Sequence, residues 1–110
     1  MLVSGNTFAL RLKFDETMFG IYTRVRDECG YNATGFLRML HEHKGVETVR
    51  RLLPSMSDNY AELWRCGRLD LTVEALILRE PWRALFSDAE HEIARRRLAD
   101  SGYNFSNGEV

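Results

Sequence analysis

Apolar and polar positions follow two different periods along this chain. From Phe8 to Phe14 the residues Phe8, Leu10, Leu12 and Phe14 alternate with Ala9, Arg11 and Lys13. Strict alternation is the signature of a half-buried strand, and it predicts a short N-terminal β-strand. A lone strand needs a partner, either the segment Tyr103-Asn104-Phe105, a second copy of the chain or another protein. The spacing of Phe8 and Leu12, four apart, also fits the start of a helix.

Beyond Phe14 the period changes to that of helices. Asp15 is placed to cap a helix reaching Cys29, with Met18, Tyr22, Val25 and Cys29 on one face and Gly30 as its stop. Asn32 is placed to cap the next, about 33–44, whose inner face is Phe36, Leu37 and Leu40 before Gly45. A short helix through Val46, Val49, Leu52 and Leu53 ends at Pro54. Ser57 or Asp58 opens a helix with Tyr60, Leu63 and Trp64 that stops at Gly67. Asp70 or Thr72 caps one carrying Val73, Leu76 and Ile77, closed by Glu80-Pro81. Ser87 and Glu90 form a capping box for the last, with Ala89, Ile93, Ala94 and Leu98, which closes at Gly102. The expectation is an all-α, compact bundle-like single domain of about six helices with a short N-terminal β-strand. Its parts are an N-terminal segment 1–14, a helical domain 15–105 and a frayed tail 106–110.

A length of 110 residues, 45% hydrophobic and 28% charged, suits one domain with its own core. Cys29 and Cys66 lack the CxxC spacing of a metal or redox pair, so two free thiols in a reducing compartment are expected. The start Met1-Leu2-Val3-Ser4-Gly5-Asn6 lacks the basic and hydrophobic regions of a signal peptide, so a cytoplasmic location is expected. No apolar run approaches the roughly 18 residues of a membrane span, so no membrane partner is expected.

The order Gly30-Tyr31-Asn32, Phe36-Leu37, Met39-Leu40, Gly45-Val46, Leu52-Leu53, Leu63-Trp64, Gly67-Arg68-Leu69-Asp70-Leu71-Thr72-Val73-Glu74, Leu85-Phe86, Ala94, Arg97-Leu98 and Gly102-Tyr103 resembles a set of small uncharacterised bacterial proteins. The resemblance spans about residues 22–103. It implies a bacterial, free-standing module and carries no activity, cofactor or site.

Candidate chemistry is sparse. In a helix His41 and His43 point about 200° apart and cannot share an ion, and no His pair has the helical spacing of four. No metal and no cofactor is therefore expected. Asp70 and Glu74 are spaced for a helical carboxylate pair, but a cap and a first-turn carboxylate account for them. Ser4, Ser55, Ser57 and Ser87 fall in loops or caps, and no GxSxG, P-loop or GxGxxG occurs, so the chain reads as non-enzymatic.

Lys13 and Lys44 are the only lysines among fifteen basic residues, so the basic inventory is nearly all Arg. The run Arg95-Arg96-Arg97 reads as a solvated helix face paired with Glu92, and a net charge of -1 argues against a nucleic-acid surface. The function expected is a non-catalytic protein-interaction or regulatory module, its partner a protein, self or other, met through Phe8, Leu10, Leu12 and Trp82. The alternative is a nucleic-acid-binding helical protein holding phosphates with Arg50, Arg51, Arg95, Arg96 and Arg97. A metal-dependent hydrolase is the third and weakest reading.

Overall fold

A computed structural model describes residues 3–105 of the chain. The tail 106–110, expected to fray, lies outside them. Among the described residues five α-helices run in order: α1 Val3–Cys29, α2 Thr34–Leu52, α3 Asp58–Arg65, α4 Val73–Ile77 and α5 Asp88–Asp100. Two 3-10 turns, Leu69–Leu71 and Trp82–Leu85, flank α4. All pack around one hydrophobic core.

The N-terminal strand is not formed, because 8–14 belong to α1. Leu, Ala, Arg and Lys are strong helix formers, and among the described residues there is no strand for this segment to pair with. In a helix, residues two apart point about 200° apart, so alternation splits the apolar residues between two faces. Phe14 is buried and Leu10 half-buried against the core, while Phe8 is 65% and Leu12 50% exposed. The core stripe of α1 continues through Met18, Ile21 and Val25, with Tyr22 and Cys29 at its margin.

Asp15 therefore does not cap a helix of its own. It caps α2 from the side, accepting from the Gly45 N–H at 2.7 Å. That donor is free because Lys44 adopts φ 68, ψ 178 and breaks α2 in the middle, so the two helices expected over 33–44 and 46–53 form one kinked element. Glycine is required at 45 for space: a Cβ there would lie 2.8 Å from the Phe14 ring and 2.9 Å from the Asp15 carboxylate. Asn32 does not cap α2 either, since Ala33 holds that position, and its side chain accepts instead from the Tyr22 hydroxyl at 2.5 Å.

The other caps follow their expected residues. Ser57 accepts from Tyr60 N–H, Thr72 from Ala75 N–H, and Ser87 and Glu90 complete their reciprocal box. Gly30, Gly67 and Gly102 all have φ between 70 and 82, as left-handed helix stops do.

The two cysteines are not free thiols. Cys29, the last residue of α1, is bonded to Cys66, directly after α3, with their Cα atoms 6.1 Å apart. The spacing of 37 residues hid this, because the helix between them reverses direction and brings two distant helix ends together.

Candidate functional site

A buried polar cluster lies where α3, α4 and α5 meet. Thr72 caps α4, placing Glu74 in a first turn that faces the core, where it is 2% exposed. From the last turns of α5, Arg97 Nη1 donates to Glu74 Oε2 at 2.7 Å, and Nη2 donates to the Leu53 carbonyl at 2.7 Å. The guanidinium lies 5.9 Å from the centre of the Tyr60 ring. The Tyr60 hydroxyl donates to Ser101 Oγ at 2.7 Å, and Ser101 Oγ donates to the Arg97 carbonyl at 3.0 Å. Burial pushes the Glu74 carboxyl above its usual range, and Arg97 pulls it only part of the way back. Burial also raises the Tyr60 hydroxyl.

Beside Glu74, Tyr60 and Thr72 there is a cavity of about 20 Å³, room for one water. Through Arg97 this carboxylate ties α4 to α5 in the core. Asp70 and Glu74 do not act together: Asp70 accepts two bonds from Arg68, both at 3.0 Å, while Glu74 serves Arg97. The arginine run divides in the same way. Arg95 and Arg96 lie on the surface and share Glu92, at 2.6 and 3.2 Å, but Arg97 is not part of that solvated face.

Each of the five arginines considered for phosphate binding has a carboxylate partner. Arg50 meets Glu90 at 2.8 Å, and Arg51 meets Glu47 at 3.1 Å. Arg95 and Arg96 hold Glu92, and Arg97 holds Glu74. His41 packs edge-on against Phe19, and His43 lies 3.7 Å from Glu42. Among the described residues no three His, Cys, Asp or Glu side chains gather as a metal site. No helix there is long and apolar enough to cross a membrane.

Among the described residues the exposed large apolar side chains fall in two patches. Phe8 and Leu12 overlook a groove of about 230 Å³ against His43, Lys44 and Val46. Of the other two residues expected at a partner contact, Leu10 is half-buried, and Trp82 packs against Phe14 with ring centres 5.5 Å apart. The second patch was missed by sequence reasoning. Met56, Trp64 and Ile93, each 41 to 49% exposed, surround a groove of about 430 Å³ between α3 and α5, edged by Glu92, Arg96 and Asp100. Trp64 shares a face with Tyr60 by spacing, yet it is half-exposed while Tyr60 is buried.

Comparison of the chain with protein-family models, with curated proteins and with solved structures found no match in any of the three.

Proposed function

We propose that this chain is a non-catalytic protein-interaction or regulatory module that takes a protein partner, a second copy of itself or another chain, on its exposed apolar surface. The observation that carries this reading is the Met56–Trp64–Ile93 groove. It combines a half-exposed tryptophan, two flexible or branched apolar neighbours and a charged rim, the composition of an interface centre. Phe8 and Leu12 add a second contact face, replacing the four-residue set Phe8, Leu10, Leu12 and Trp82. The nucleic-acid alternative has less support, since all five of its arginines are already neutralised by carboxylates. The likeness to small bacterial proteins belongs to this reading and adds no activity to it. A cytoplasmic location also belongs to it, with the consequence that the Cys29–Cys66 bond would meet a reducing medium.

The test pairs Trp64→Glu with Phe8→Asp/Leu12→Asp. Association, read as mass by light scattering for self-pairing and as site-directed photo-crosslinking from position 64 for another chain, should fall at least tenfold in one of the variants while the far-UV helical signal is unchanged. Association untouched by both variants would overturn the proposal. So would salt-dependent DNA or RNA binding tighter than about 1 μM at physiological ionic strength, which exceeds the non-specific range.

A further inference from the structure

The junction of α1 and α3 is fastened twice. The covalent tie joins Cys29, half-buried at the last turn of α1, to Cys66, exposed at the end of α3. One residue before Cys29, Glu28 accepts from Arg68 Nη1 at 2.7 Å, and Arg68 is two residues after Cys66. Arg68 is itself held by Asp70 through two bonds of 3.0 Å, and Glu28 by Arg24 at 2.9 Å. This ion network lowers the Glu28 carboxyl to about 2 and raises the Arg68 guanidinium. A disulfide and an ion pair thus span the same gap side by side.

Each cysteine directly precedes a left-handed glycine, Gly30 at φ 70 and Gly67 at φ 78. Both sulfurs lie where their helices stop, so neither helix must unwind for the bond to open. The side chains that seat the two helices, Met18, Ile21 and Val25 from α1 and Tyr60 and Leu63 from α3, are buried in the core.

We infer that Cys29–Cys66 is a reversible thiol–disulfide latch, opened by a dithiol reductant, and that the Arg68–Glu28 pair is the clasp that keeps α1 and α3 docked once it is open. The exchange follows ordinary dithiol chemistry. A thiolate of the reductant attacks Sγ of exposed Cys66, forming a mixed disulfide and releasing Cys29 as thiolate, which takes a proton. The second thiol of the reductant then displaces Cys66, so two electrons and two protons pass to the protein and the reductant leaves as a cyclic disulfide.

Thiol counting with dithiothreitol on the folded chain tests this. No free thiol should be found before treatment and two after it, without denaturant, and the far-UV helical signal should persist. The melting temperature should drop by about 15 °C, the size expected for removing a cross-link of this loop length, and recover on reoxidation. Cys29→Ser/Cys66→Ser should match the reduced form. Arg68→Gln should lower the melting temperature further in the reduced chain than in the oxidised one. Two thiols before reduction, thiols that appear only in denaturant, or loss of helix on reduction would overturn the latch. An equal Arg68→Gln effect in both forms would overturn the clasp.

Discussion

Arg96 and Arg97 are neighbours in the chain, yet they belong to different regions with different physics. Arg96 stands on the outer face of α5 with Arg95, sharing Glu92 in a medium where water screens the pairing. Arg97 turns inward, its side chain 14% exposed, and neutralises a glutamate that is 2% exposed. One step along a helix is about 100°, enough to move a guanidinium from solvent to core. Counting ion pairs would give the two equal weight. Their surroundings do not: a surface pair lost returns both groups to water, whereas a buried pair broken strands its survivor.

The largest break in this comparison is Arg97→Gln. At pH 7 it should destabilise the fold by about 3–5 kcal/mol in denaturant unfolding, because Glu74 is left buried without a partner and the Leu53 carbonyl loses its donor. A cost below about 1 kcal/mol would place Arg97 energetically with the surface arginines.

The pH dependence sharpens the contrast. Arg97 lowers a Glu74 carboxyl that burial has raised, so removing Arg97 raises it further. Above the ordinary glutamate value the folded variant then binds more protons than its unfolded chain, and its stability falls as pH rises. The deficit of Arg97→Gln should therefore widen with increasing pH in a window lying above 4.5, the ordinary value. Glu92 behaves in the opposite way, since Arg95 holds its carboxyl below 4.5. Whatever Arg95 and Arg96 contribute through it is present above that value and lost as pH falls further. Paired unfolding curves from pH 3 to pH 8 should separate the two windows, and a shared window would erase the distinction.

The smallest effect is that of Arg95→Gln/Arg96→Gln. The melting temperature should stay within about 2 °C of the parent chain, and the difference should vanish in high salt. A larger, salt-resistant loss would mean that Glu92 is tied into the groove beside Trp64 and Ile93.

Much of the helical architecture was readable before the structure, and the unreadable parts share a cause. Phe8 to Phe14 alternate as a strand does, but among the described residues there is no strand to pair with, and helix formation there leaves Phe8 and Leu12 facing outward. The apolar surface of α1 was thus visible as residues, and its exposure was not. Trp64 follows Tyr60 by four, the spacing of one helix face, yet Tyr60 is buried and Trp64 is half-exposed beside the groove. Of the candidate site, the arginine run was legible as charge but not as two functions, because its division depends on where Glu74 and Glu92 sit.

What the chain determined by itself are its local stops and starts. Ser57, Thr72 and the Ser87–Glu90 box each bond a backbone group three residues away, and Gly30, Gly67 and Gly102 adopt a conformation set by their own missing Cβ. Tertiary structure alone decided the pairings across 23 residues for Glu74 and Arg97, 30 for Asp15 and Gly45, and 37 for Cys29 and Cys66. A local signal needs only the geometry of one turn. A long-range pairing exists only once the helices have found their packing, since that packing brings the groups within reach and sets whether water still screens them.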